Sequence, residues 1–158
     1  MGGLFGGSKT TPPPPPPPPP AQVRNPSFGE VMELVKHSKF HRPLRFKLII
    51  KSFDTPLKLN QYRFWRNNKQ KLVGFCSYAL VSDEVLAKLL DGSTMQSEYW
   101  QSGKNLWLAE FVAPFGHVSF IVKDTVRYFN KEHGIGTGYW YRPTKQKKGL
   151  IGPDKHLA

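Results

Sequence analysis

Cysteine is almost absent from this chain of 158 residues: it has one, Cys76. A single thiol forms no internal disulfide and no multi-thiolate zinc site, so a disulfide-stapled secreted scaffold and a zinc finger are both excluded. A reducing compartment fits. Long apolar runs are missing too. The longest mostly apolar stretch, residues 72–81, has ten residues and includes Gly74 and Ser77, whereas a membrane-spanning helix needs about 18 to 20. No transmembrane segment is expected. The N-terminus lacks the charged start, apolar run and small-residue cleavage site of a secretory signal, and Gly6 stands where a myristoylation signal wants Ser or Thr. Acidic residues are scarce, 11 against 23 Lys plus Arg, for a formal charge of +12. Such a field favours encounter with polyanions. Charge alone leaves nucleic acid, anionic lipid and an acidic protein all open as partners.

What is abundant is proline, and it is concentrated. Nine of the 15 prolines form one block, Pro12 to Pro20, which reads as a polyproline II rod of about 28 Å at roughly 3.1 Å per residue. Residues 1–26 are therefore expected to be a disordered Gly/Pro-rich arm, with Leu4-Phe5 near its tip as an anchor or the whole as a spacer. The remainder, about 130 residues, is the size of one domain with one core. Its expected extent is residues 27–142, with a basic tail over residues 143–158.

The domain opens on a helix signal. Ser27-Phe28-Gly29-Glu30 has the form of a capping box, and Phe28, Val31, Met32 and Val35 share one helical face. Pro43 should end this element after the basic segment Lys39-Phe40-His41-Arg42. Residues 44–52, with Leu48-Ile49-Ile50, read as a strand. Residues 61–66 and 71–80, joined by Asn67-Asn68-Lys69-Gln70, read as a hairpin. Ser82-Asp83-Glu84 caps a second helix whose stripe is Val85, Leu86, Leu89 and Leu90. A buried strand over residues 106–113, a helix over about 117–131 and a short strand at Tyr139-Trp140-Tyr141 complete a mixed α/β arrangement.

Two residues have chemistry that their surroundings do not explain. His41 lies between a helix and the next element, among cations. Glu110 lies inside the apolar run Leu106 to Ala113, where a carboxylate is costly unless it is paired or performs a task. Strict alternation offers a plain alternative, with Leu106, Leu108, Glu110 and Val112 on one face and Glu110 at its solvated end. The glycines from Gly134 to Gly138 lack the Lys-Ser/Thr of a phosphate loop and read as a turn. Cys76 in its alternating strand reads as a buried small hydrophobe. His37, His117, His133 and His156 have no metal-ligand spacing with the acids, so no metal site is expected.

Several blocks recur in order between Pro26 and Phe129: Ser38 to His41-Arg42, Asn60-Gln61-Tyr62, Val73-Gly74-Phe75-Cys76-Ser77-Tyr78-Ala79, Trp100-Gln101-Ser102-Gly103, and Trp107-Leu108-Ala109-Glu110-Phe111-Val112-Ala113-Pro114-Phe115-Gly116. Together they resemble the RTX toxin-activating lysine acyltransferases, the hemolysin-activating family. The resemblance implies a fold similar to GNAT acyltransferases, with a mixed central sheet flanked by helices. It also implies a cytoplasmic enzyme moving a fatty acyl group from acyl carrier protein to internal lysines of a protein toxin, with no bound cofactor and with a homodimer as an open assembly state. His41 takes the place of that family's catalytic His and Ser38 that of a supporting Ser. Glu110 stands where the family has Asp, one methylene longer. Lys39, Arg42, Arg45 and Lys47 are then suited to dock an acidic carrier. Two further readings stay open: a catalytically relaxed adaptor of a larger assembly that uses the proline arm, and a nucleic-acid-binding module stacking bases on Tyr62, Phe64, Trp65, Tyr139, Trp140 and Tyr141.

Overall fold

The computed structural model describes residues 24–142 and 147–151; the proline arm lies outside them, as does most of the basic tail. The chain adopts the expected mixed α/β architecture. Helix α1 (Phe28–Val35) begins as read: Ser27 Oγ accepts from Glu30 N–H and the Glu30 carboxylate accepts from Ser27 N–H. Its face of Val31, Leu34 and Val35 is buried.

The next element corrects the sequence reading. Residues 44–52 are not a strand; helix α2 (Phe46–Leu59) occupies this region. The β-branched pair Ile49-Ile50 favours a strand by local propensity, but Phe46, Ile49, Ile50, Phe53 and Leu57 recur at three- and four-residue steps. That is one helical stripe, and burial of Phe53 at 0% exposure against α1 and the sheet outweighs local propensity. Asn60 ends the helix in the left-handed conformation at φ 54°.

The hairpin forms where expected, β1 (Tyr62–Arg66) against β2 (Leu72–Val81). Asn67 Oδ1 accepts from the N–H groups of Lys69 and Lys71, both at 3.0 Å, and so closes the turn. Helix α3 (Asp83–Leu90) is capped by Ser82. Strand β3 (Asn105–Val112), helix α4 (Val118–His133) and β4 (Gly138–Arg142) follow. Gly134 caps α4 at φ 64°, so the glycine-rich piece is a turn. A fifth strand, β5 (Lys147–Ile151), lies within the stretch expected to be tail.

The sheet order is β1-β2-β3-β4-β5, antiparallel except for the β3–β4 pair. That parallel pair requires a crossover, which α4 supplies. Helices α1, α2 and α3 cover one face, over Phe75, Val112, Ala79 and Trp107. Helix α4 covers the other, with Phe129 on Cys76, Leu106 and Leu108. A Cβ on Gly74 would strike the end of the Ile121 side chain of α4, so glycine there lets the helix approach the sheet without moving that side chain.

Candidate active site

Ser38 and His41 stand in the turn between α1 and α2. Arg42 N–H donates to Ser38 C=O at 3.0 Å, a single helical turn that puts Ser38 and His41 on the same side. Ser38 Oγ lies 2.7 Å from His41 Nδ1. On the other side of the ring, Glu110 Oε2 lies 2.9 Å from Nε2. The three residues are thus joined in one line across 72 positions of sequence, with His41 only 2% exposed and Ser38 and Glu110 half-buried.

A β-bulge makes this contact. Ser77 of β2 faces Glu110 and the next residue, Tyr78, faces Leu108, so Ala109 is the extra residue on β3. The bulge inverts the alternation. Leu106 and Leu108 pack towards α4, whereas Glu110 and Val112 lie on the opposite face with α1 and α2. The sequence alternative that placed all four on one face is therefore overturned. Bulges are used to re-aim side chains in this way. Ser77, fully buried, holds the bulge: its Oγ accepts from Glu110 N–H at 3.1 Å. Sequence reading assigned Ser77 no role, although a hydroxyl at an inward position of an apolar strand was the available signal. The longer carboxylate at position 110 reaches His41 at ordinary hydrogen-bond distance.

The hydrogen-bond chemistry orders the protons. A carboxylate only accepts, so Nε2 carries the ring proton towards Glu110, and Nδ1 accepts from the Ser38 hydroxyl. This is the connectivity of a serine–histidine–acid relay. Two aromatics fix the ring plane, Phe40 edge-on at 4.9 Å between centroids and Phe53 at 5.8 Å. Nearby Cys76 takes no part. Burial pushes its thiol up to about 12, which keeps it a neutral packing group.

Lys39, Arg42, Arg45 and Lys47 are all exposed and flank His41 in the turn and the first residues of α2. Among the described residues, no acidic side chain pairs with any of the four. The aromatics considered for base stacking serve the core instead. Tyr62 and Phe64 pack on the α1–α2 cluster, Trp65 and Trp140 on the α4 side, and Tyr139 and Tyr141 against α3. Among the described residues, no group of three or more His, Cys, Asp or Glu could hold a metal ion, and no helix is long and apolar enough to cross a membrane.

A mixed sheet with helices on both faces, carrying a buried histidine clasped by a carboxylate and a hydroxyl, has the make-up of an α/β acyltransferase. Comparison with known proteins narrows this class. Residues 21–149 match the model of the RTX toxin acyltransferase family, HlyC, and the chain belongs to that family. It is 31% identical over 108 residues to the lysine-acyltransferase RtxC of Vibrio cholerae, covering 68% of this chain and 70% of that one. The leukotoxin-activating lysine-acyltransferase LktC serotype T3 of Mannheimia haemolytica is 26% identical over 132 residues, 76% of this chain and 78% of the relative. The protein-lysine palmitoyltransferase CyaC of Bordetella bronchiseptica is 30% identical over 90 residues, 56% and 48% of the respective chains. The match extends past Phe129, where the motif resemblance stopped. The enzyme class expected from the sequence, lysine acyltransferase, is the class of these relatives.

Proposed function

We propose that the protein transfers a fatty acyl group from acyl carrier protein to the ε-amine of internal lysines in a protein substrate, a toxin by analogy with its relatives. His41 is the general base, Ser38 the hydroxyl through which it acts, and Glu110 the carboxylate that orients the ring. The observation that carries this reading is the line Ser38 Oγ, His41 and Glu110 Oε2, with contacts of 2.7 and 2.9 Å around a buried imidazole.

A lysine with a pKa near 10.4 is protonated at pH 7, and exposing its amine costs about 4 to 5 kcal/mol. A positioned base supplies part of this. In the transfer step the lysine nitrogen lone pair forms a C–N bond at the thioester carbonyl, and the C–S bond breaks to release the carrier's thiolate. The proton leaving the amine passes through the Ser38 hydroxyl to His41 Nδ1, and Glu110 compensates the imidazolium. His41 then returns the proton to the thiolate. An acyl-imidazole path needs a ring nitrogen with an open lone pair, and both nitrogens are engaged, so the base role is the better supported.

The cations Lys39, Arg42, Arg45 and Lys47 support an acidic carrier as donor, because their field draws such a partner to the mouth of the site. A carrier-borne donor supports a cytoplasmic reaction. The test is incubation with acyl carrier protein bearing a labelled fatty acid and with candidate acceptor proteins. Wild type is expected to label a lysine, and His41→Ala to lose about 10³-fold in rate; because the ring is buried, a lower melting temperature is also expected, and circular dichroism at the assay temperature checks that the variant is folded. Full activity of His41→Ala would remove the assignment. Absence of labelling together with co-purification in a large particle would favour the adaptor reading.

A further inference from the structure

We propose that the N-terminal part of the α2 stripe, Phe46 and Ile50, seats the fatty acyl chain of the donor, and that Phe46 sets the preferred chain length. The inference rests on the acyl-donor reading above and deepens it. The stripe of α2 has two ends with different fates. Phe53 is fully buried and Ile49 and Leu57 pack on the core, yet on the same face Phe46 is 69% exposed and Ile50 36%. The first turn thus leaves part of an inward-type face open to solvent, most of Phe46 and about a third of Ile50. An apolar face left in this condition marks a binding surface.

Its position says what it binds. Phe53 touches the His41 ring on one side and Phe40, itself 40% exposed, touches it on another. Phe46 precedes Phe53 by seven residues, about 10 Å along the axis at 1.5 Å per residue. Phe53 is buried beneath this surface, so an acyl chain whose carbonyl lies beside His41 would run outward over the exposed side chains Phe40 and Ile50 as far as Phe46. Neither of two cavities among the described residues offers an alternative seat. The cavity lined by Leu106, Leu108 and Phe129 lies on the α4 face of the sheet, away from His41. The cavity below α1 is lined by Glu30, Glu33, His37 and Lys71 as well as apolar groups. A second copy of the chain is a poor occupant, since a two-fold contact here would oppose Arg42, Arg45 and Lys47 to their own copies. Leu48 provides an internal control: it is 49% exposed on the same helix but points away from the stripe.

The experiment measures binding of palmitoyl-pantetheine and butyryl-pantetheine to the full chain, alongside transfer from the corresponding acyl carrier proteins. A butyryl chain is too short to reach Phe46. Phe46→Ser should weaken palmitoyl binding by about tenfold or more and leave butyryl binding unchanged, and Ile50→Ser should weaken palmitoyl binding as well. Leu48→Ser should change neither. Equal losses for both chain lengths, or a Leu48→Ser loss as large as that of Phe46→Ser, would overturn the proposal in favour of a general docking surface. If wild type transfers acyl groups while Phe46→Ser binds and transfers palmitoyl normally, the stripe is refuted and the donor reading survives. If wild type transfers from no carrier while palmitoyl binding depends on Phe46, the donor reading falls and the stripe stands.

Discussion

Two glutamates show how one side chain serves architecture in one place and chemistry in another. Glu30 accepts from Arg66 at 2.9 Å, from Arg24 at 2.6 and 3.0 Å, and from Ser27 N–H at 3.0 Å. Those donors, Arg66 first, hold its carboxyl well below the usual carboxylate range. The group is saturated by permanent cations, and it binds the start of the domain to the end of β1. Glu110 instead meets a single titratable ring, His41. A carboxylate facing one imidazole can answer a change in that ring's charge, whereas one surrounded by guanidinium groups stays ionised and fixed. The surroundings, not the residue type, separate the two roles.

Breaking the comparison on the Glu110 side should have the largest effect. Glu110→Gln keeps the shape but loses the acceptor-only partner of Nε2, and acyl transfer is expected to fall by about 10²- to 10³-fold with little change in thermal stability. Steady-state rates beside a melting curve check both halves. Glu110→Asp comes next. Glu110 reaches His41 at 2.9 Å, and withdrawing the carboxylate by about 1 Å should cost on the order of a hundredfold or less; wild-type activity in this variant would show that the reach of Glu110 is irrelevant.

On the Glu30 side the effect should move to stability. Glu30→Gln leaves Arg66, with its side chain 6% exposed, without its charge partner, at a cost of about 2 kcal/mol and roughly 5 °C in melting temperature, while transfer activity is retained. The pH dependence has a definite sign. A carboxyl whose folded pKa is depressed contributes fully above the ordinary carboxylate pKa near 4.5, and loses its contribution as pH falls through the lower folded value. Glu30→Gln should accordingly flatten the acid limb of the stability curve, and an unchanged limb would assign the acid sensitivity elsewhere. The smallest effect is expected at Cys76. With its thiol pushed up to about 12, native protein should resist alkylation at pH 8 and react only on unfolding.

Much of this molecule was legible beforehand. The capping box at Ser27, the hairpin at Asn67, the cap at Ser82 and the glycine stop at Gly134 are local signals, and local backbone chemistry decides such features. The strand expected at residues 44–52 failed because α2 owes its form to Phe53, which must reach both α1 and the sheet. A three-residue window around Leu48-Ile49-Ile50 does not contain that requirement. His41, Ser38 and Glu110 stood out as residue types in unusual company, but their contact did not.

The sequence by itself determined the inventory: one basic domain behind a proline block, a histidine among cations, a carboxylate in an apolar strand, and blocks in the order of one acyltransferase family. Only the tertiary structure decided that these groups meet. Alternation along β3 would have turned Glu110 to the α4 face with Leu106 and Leu108. One extra residue, Ala109, held by the Ser77 hydroxyl on the neighbouring strand, turns it to the face where His41 is buried. The physical reason is that a bulge is a property of strand pairing: it exists only once β2 and β3 are in register, and no pattern within β3 alone records it.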